Sequence, residues 1–68
     1  MNIQDAAKEA AASNKCITIR SEGEVWFKVR PSNDPYWLCS GEHPDGLHRV
    51  KGWQPSLDDL ISDEWEVI

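Results

Sequence analysis

The stretch that decides the fold closes the chain and reads Trp53-Gln-Pro-Ser-Leu-Asp-Asp-Leu-Ile-Ser-Asp-Glu-Trp65-Glu-Val-Ile68. Its middle carries the signals of a helix start. The Ser56 hydroxyl can accept from the backbone N–H of Asp59, whose carboxylate lies in the first turn, where the helix dipole favours negative charge. Three apolar residues then recur at helical spacing: Leu57, Leu60 and Ile61. This part of the stretch therefore predicts a short helix after Ser56.

The end of the same stretch changes its period from helical to alternating. Trp65 and Val67 alternate with Glu64 and Glu66, which is typical of a strand with one buried face. We therefore expect a closing strand with Trp65 in the core.

The first part of the chain predicts a helix over residues 3–13. Asn2 is a suitable N-cap, Asp5 occupies the third helical position, and Asn14 can take the left-handed conformation that ends a helix. One face of this helix is narrow and consists mostly of small side chains: Ile3, Ala6, Ala7, Ala10 and Ala11. Small residues allow the helix to pack closely on a sheet.

The middle of the chain predicts antiparallel strands over residues 15–20, 25–30, 36–40 and 47–51. Gly23 is available for positive φ in the first turn, residues 31–35 form a loop broken by two prolines, and residues 43–46 have the sequence of a turn. In the second strand, Val25, Phe27 and Val29 are assigned to the core face, and Trp26, Lys28 and Arg30 to the other. The predicted fold class is α+β, with the N-terminal helix packed on a small antiparallel sheet of four to five strands and a short helix before the last strand.

The length of the chain allows one domain, residues 1–68. A chain below about 70–80 residues seldom builds a core worth more than a few kcal/mol. Four tryptophans offset part of this deficit. We expect a homo-oligomer, a dimer or tetramer, to supply the rest.

The net charge is −5, from seven Lys/Arg and twelve Asp/Glu. This balance argues against direct nucleic-acid binding across a broad surface. Most basic residues lie between Lys15 and Lys51, so the sequence still allows a local basic patch. No hydrophobic run reaches membrane-spanning length, which predicts a cytoplasmic protein without membrane contact. In that compartment Cys16 and Cys39 are expected to be free thiols.

The C-terminal residues also resemble a known signature. The pattern Trp53-x-Pro55-Ser56-x-x-Asp59-Leu60-Ile61-Ser62-x-Glu64-Trp65 is similar to Trp-x-Pro-Ser-x-x-Asp-Leu-Leu-Ala-x-Asp-Trp of the Thoeris anti-defence 2-like family of small phage and prophage proteins. The alanine-bearing helix and a strand that ends in Arg20 agree in order. The resemblance implies an α+β homo-oligomer that sequesters a nucleotide-derived immune signal, such as a cyclised ADP-ribose, without cleaving it.

The chain departs from the family pattern at several positions. Ser62 stands where the family usually has alanine, and Glu64 where it has aspartate. Family members often carry a tryptophan three residues after the arginine, and here that position is Gly23. Trp26 can take its place as a base-stacking platform only if the turn bends it back.

A nucleotide site needs an aromatic plane, groups that bind phosphate, and polar groups for ribose. The candidate ligand-binding residues are Arg20, Trp26, Arg49, Trp53, Ser56 and Asp59. Each also has a structural interpretation. Trp53 can fasten the short helix to the sheet, Ser56 and Asp59 form a helix cap, and the arginines can be solvated cations that balance the acidic residues.

The sequence predicts no catalytic residues, no metal site and no cofactor. A zinc set of Cys16, Cys39, His43 and His48 matches no usual finger or ribbon spacing. The alternative function is an acidic protein–protein inhibitor, such as an anti-CRISPR that blocks a nucleic-acid-binding surface. It is suggested by the net charge and a carboxylate cluster formed by Asp58, Asp59, Asp63, Glu64 and Glu66.

Overall fold

The computed structural model describes residues 1–25, 27–40 and 47–68. Trp26 and the predicted turn at residues 43–46 lie outside these described residues. Within them, the order of elements is α1 (Ile3–Ser13), β1 (Ile17–Ser21), β2 (Glu24–Val25), β3 (Val29–Arg30), β4 (Tyr36–Ser40), β5 (Leu47–Lys51), α2 (Leu57–Ile61) and β6 (Trp65–Val67). The α+β prediction is confirmed.

The N-terminal helix α1 has the predicted bounds. The Asn2 side chain accepts from the Asp5 N–H at 2.8 Å, and the helix ends at Asn14, whose φ is 57°. Ala6 and Ala10 are fully buried in the core. Because neither side chain extends beyond a methyl group, α1 can lie close to the strands beneath it.

All strand pairs are antiparallel, and β1 has the most partners. It pairs with β2, β3 and β6, while β4 joins β3 to β5. The sheet has six strands, one more than the upper end of the predicted range, because the predicted strand over residues 25–30 is divided into β2 and β3. The last strand, β6, lies beside β1 and not at the far edge near β5.

The division of the second predicted strand changes which side chains face the core. Arg20 pairs with Val25, whereas Ile17 pairs with Val29. Because Ile17 and Arg20 point to opposite sides of β1, their partners do so as well. The prediction that Val25 and Val29 share the core face is therefore wrong, since the two registers differ by one position and Phe27 and Lys28 lie outside the strands. The fully buried Thr18 hydroxyl donates to the Phe27 carbonyl within this interruption.

The two faces of the sheet have different surroundings. The core face carries Ile17, Val29 and Cys39 in adjacent register, and these pack with Ala6, Ala10 and Trp65. The other side, here called the cationic face, carries Arg20, Arg30, Arg49 and Lys51, as the strand registers place them. Helix α1 packs on the core face and also contacts α2.

Candidate functional site

The structure does not bring the predicted ligand-binding residues together at one site. Arg20 and Arg49 lie on the cationic face, at β1 and β5. Trp53 packs against the core on the other side of the sheet, and Ser56 and Asp59 belong to the start of α2. Trp26 lies outside the described residues, so its predicted role stays a prediction.

The polar atoms of Ser56 and Asp59 are engaged in a complete capping box. The Ser56 hydroxyl accepts from the Asp59 N–H at 3.1 Å, and the Asp59 carboxylate accepts from the Ser56 N–H at 3.2 Å. The Asp59 carbonyl also accepts from the Trp65 indole N–H at 2.7 Å. These contacts give both residues a structural role in starting α2 and attaching it to the core.

Trp53 belongs to a continuous series of aromatic rings. It stacks on Trp37 with ring centroids 5.5 Å apart and an angle of 21° between the ring planes. It also meets Trp65 edge to face at 6.1 Å, and Trp65 meets Phe27 in the same way at 6.0 Å. Since Trp37 already stacks on Trp53, Trp53 supports the Trp37 ring from behind.

Arg20 lies in the larger of two described clefts, with a volume of about 360 Å³ and a lining of Met1, Arg20, Glu64, Trp65 and Glu66. The Arg20 Nε is 2.9 Å from the Glu66 carboxylate, and the Arg20 Nη1 donates to the Gly23 carbonyl at 3.3 Å. Two carboxylates line this cleft, and both of its cationic groups are already engaged: Arg20 pairs with Glu66, and the Met1 ammonium donates to the carbonyls of Asp63 and Trp65. The Arg20 cleft is therefore poorly suited to an anionic ligand, although it is the larger of the two.

A second cleft of about 290 Å³, here called the Trp37 cleft, lies between α1 and the loop before β4. It is lined by Ala7, Lys8, Ala11, Pro31, Ser32, Asn33 and Trp37. The loop has a defined shape, because the Ser32 hydroxyl accepts from the Asp34 N–H at 2.9 Å and the Asp34 carboxylate accepts from the Tyr36 N–H at 2.8 Å. These turns hold Asn33 at the mouth of the cleft and start β4 so that Trp37 forms one wall.

The lining of the Trp37 cleft combines an aromatic ring with a few polar groups. Trp37 offers an indole, the methyl groups of Ala7 and Ala11 leave room beside it, and Lys8 and Asn33 supply a cation and an amide. A concave, mostly apolar site with a few polar groups is the usual form of a small-molecule site. This arrangement can hold a planar ring that bears a negative charge.

Sequence reasoning did not select Trp37 or Lys8. The sequence contains one indication of this cleft: the spacing of Ala7, Lys8 and Ala11 places them close together on one side of a helix. Which loop would face them depends on the tertiary structure.

The two cysteines are buried free thiols, as expected. Burial, and secondarily the neighbouring Cys16, raises the pKa of the Cys39 thiol above its ordinary value. Among residues 1–25, 27–40 and 47–68, no group of three or more His, Cys, Asp or Glu side chains is placed to hold a metal ion. The zinc set included His43, which lies outside those ranges.

Gly23 occupies a tight turn between β1 and β2. Glu22 and Gly23 both have positive φ, 53° and 80°, as in a two-residue hairpin turn. A tryptophan at position 23 would have to adopt a backbone conformation that side-chain-bearing residues disfavour.

Comparison of the chain with protein-family models, curated proteins and solved structures found no match. None of the helices in the described part of the chain is long and apolar enough to cross a membrane.

Proposed function

We propose that this protein binds and sequesters a nucleotide-derived defence signal in the host-cell cytoplasm, without cleaving it. The observation that carries the proposal is the Trp37 cleft, in which an indole, an ammonium group and an amide surround one concave space. The base would stack on Trp37, the Lys8 ammonium would attract the phosphates, and Asn33 would hydrogen-bond to the base or ribose. The C-terminal resemblance to an anti-defence family supports the same class of ligand.

The size of the cleft favours a signal with a single base. Its volume of about 290 Å³ lies at the lower end of small-molecule sites, which are about 300–1,000 Å³. We therefore place a cyclised ADP-ribose ahead of a cyclic oligonucleotide. The cleft is open on one side, and we propose that a homo-oligomer, a dimer or tetramer, covers the bound signal.

Three measurements on the purified protein test this proposal. Calorimetric titration with cyclic ADP-ribose isomers and cyclic dinucleotides should show binding to at least one cyclic ADP-ribose, and mass spectrometry after incubation should recover that ligand intact. Light scattering should give the mass of a dimer or tetramer. The proposal is rejected if no member of the panel binds, or if the bound compound is recovered as a hydrolysis product.

A different observation favours the alternative function as an acidic protein–protein inhibitor. The short helix α2 does not bury its apolar residues: Leu57 is 71% exposed, Ile61 68% and Leu60 48%. Asp58, Asp63 and Glu64 are also exposed around them. Exposed apolar side chains bordered by carboxylates suit a partner with an apolar groove and a basic rim, such as a nucleic-acid-binding surface.

Substitution of Leu57 by lysine separates this alternative from signal binding. If α2 blocks a basic nucleic-acid-binding protein, Leu57→Lys should prevent stoichiometric capture of that protein from an infected host, and added nucleic acid should release it from the unmodified chain. Val50→Lys, at a surface residue on β5 that is 37% exposed, serves as the control. If Leu57→Lys and Val50→Lys capture the same partner equally well, α2 is not the inhibitory surface.

A further inference from the structure

The charges of this acidic protein are segregated by the fold. Although the net charge is −5, four of its seven basic residues lie on the cationic face: Arg20, Arg30, Arg49 and Lys51. The register also places Glu66 on that face, opposite Thr18. The carboxylates of α2 and the turn after it, Asp58, Asp59 and Asp63, belong to the part of the chain that packs against α1. The net charge of the protein therefore does not predict the charge of this face of the sheet.

Most of the cationic face is not neutralised within the described part of the chain. Glu66 pairs with Arg20 at 2.9 Å. Among residues 1–25, 27–40 and 47–68, no carboxylate forms an ion pair with Arg30, Arg49 or Lys51. Arg49 and Lys51 lie on β5, at the edge of the sheet, and Arg30 lies on β3, two strands away.

One N–H group of the Arg30 side chain is not hydrogen-bonded within the described part of the chain. Its Nε is buried and has no hydrogen-bond partner among the described residues. Buried donors are normally paired, and an unpaired one on a charged group is unfavourable. An anion that accepts from Arg30 would therefore supply a hydrogen bond that the described residues do not.

Arg49 lies in the same row of the sheet. Arg30 pairs in register with Leu38, and Leu38 pairs with Arg49, so the two arginines flank Leu38 with backbones about 10 Å apart, which is twice the strand spacing. The Arg49 guanidinium lies 4.6 Å from the centre of the Tyr36 ring, and Tyr36 pairs with Lys51. This end of the face thus presents cations, an aromatic ring and an apolar residue side by side.

We propose that single-stranded nucleic acid binds across this end of the cationic face. Arg30, Arg49 and Lys51 would contact phosphates, and a base would stack on the Arg49–Tyr36 pair. A cationic surface with stacking groups is the usual platform for single strands. A strand face also suits an extended ligand better than a compact nucleotide, which is usually bound in a concave site. The site is separate from the Trp37 cleft, because Trp37 and Leu38 point to opposite sides of β4.

The test is fluorescence anisotropy with labelled oligothymidylate and oligouridylate of about 12 nucleotides. Three phosphate contacts at a slope of about 0.7 each predict binding about 20-fold weaker at about 200 mM salt than at about 50 mM. Arg30→Gln and Arg49→Gln should each lower the slope of log affinity against log salt by about 0.7. Tyr36→Ser should weaken binding and leave the slope unchanged.

Lys15→Gln is the matched control, because it removes one positive charge from an exposed residue that precedes β1. It should leave both the affinity and the salt slope close to those of the unmodified protein. The proposal is overturned if no oligonucleotide binds at about 50 mM salt, if Lys15→Gln weakens binding as much as Arg30→Gln, or if inorganic pyrophosphate binds at this face and the oligonucleotides do not. Arg30→Gln should not affect cyclic ADP-ribose binding. A negative result for oligonucleotide binding is therefore distinguishable from a negative result for the proposed function.

Discussion

Trp65→Ala is expected to lower the free energy of unfolding by about 3–5 kcal/mol, the usual cost of removing a large aromatic side chain from a core. Trp65 is 1% exposed, contacts both Phe27 and Trp53 edge to face, and donates its indole N–H to the Asp59 carbonyl at 2.7 Å. A chain of this length has a total stability of about 3–10 kcal/mol. The expected loss is a large share of that stability, so urea denaturation followed by far-ultraviolet circular dichroism should show a free energy of unfolding lower by about 3–5 kcal/mol and a lower midpoint than that of the unmodified chain.

Two further variants test whether the loss of stability is specific to removal of the Trp65 side chain. Trp65→Phe keeps an aromatic ring in the core but removes part of the indole and its N–H, so we expect a loss of about 1–3 kcal/mol, smaller than that of Trp65→Ala. Leu57→Ala changes a residue that is 71% exposed and should stay within about 0.5 kcal/mol of the unmodified protein. A Trp65→Ala variant that unfolds within about 1 kcal/mol of the unmodified chain would contradict the central position of this residue in the core.

Ala11→Glu is expected to weaken binding of cyclic ADP-ribose about 5- to 150-fold. Ala11 lines the Trp37 cleft, and a glutamate there fills the space beside the indole and repels the phosphates. Loss of base stacking alone is worth about 1–3 kcal/mol, which corresponds to that range of affinity. Calorimetric titration of the variant with the cyclic ADP-ribose isomer that binds the unmodified protein measures the effect.

Ala12→Glu provides a control of the same size and charge. Ala12 is the next residue of α1, it is exposed, and it does not line the cleft. Glutamate is a good helix former, so neither variant should unfold α1. Equal affinity of Ala11→Glu and Ala12→Glu for the ligand would show that the signal binds somewhere other than the Trp37 cleft.

Much of the fold could be predicted from the sequence because it depends on short-range signals. The helix over residues 3–13 begins after Asn2 and ends at Asn14, as its capping residues predict. The capping box of Ser56 and Asp59 and the alternation that buries Trp65 were also predicted correctly. In each case the deciding contacts join residues no more than four positions apart, or follow from the period of one element.

The second predicted strand shows where this reasoning fails. Its alternation of Val25, Phe27 and Val29 suits a regular strand, but β1 pairs with Val25 and Val29 in registers that differ by one residue. The interruption contains the Phe27 carbonyl, which accepts from the buried Thr18 hydroxyl. The pairing with β1 outweighs the local alternation of apolar residues here. A shift of the register by one residue moves a side chain to the other face of the sheet.

The candidate site was less predictable than the fold. Trp53 is among the predicted ligand-binding residues, and in the structure it stacks on Trp37, which lines the cleft. The residue types predicted for a nucleotide site, an aromatic ring and a cation, do meet, but they are Trp37 and Lys8. They come from β4 and α1, and no spacing along the chain joins them.

The sequence by itself determined the class of fold, the limits of its longer helix, the cap of α2 and the burial of Trp65, because capping and alternation act between near neighbours in the chain. The tertiary structure alone decided that α1 and the loop at residues 31–33 enclose a cleft beside Trp37, and that Arg20, Arg30, Arg49 and Lys51 share one face of an acidic protein. Both features depend on the register between strands and on how a helix lies across them. Register and helix placement are set by packing among residues far apart in the sequence.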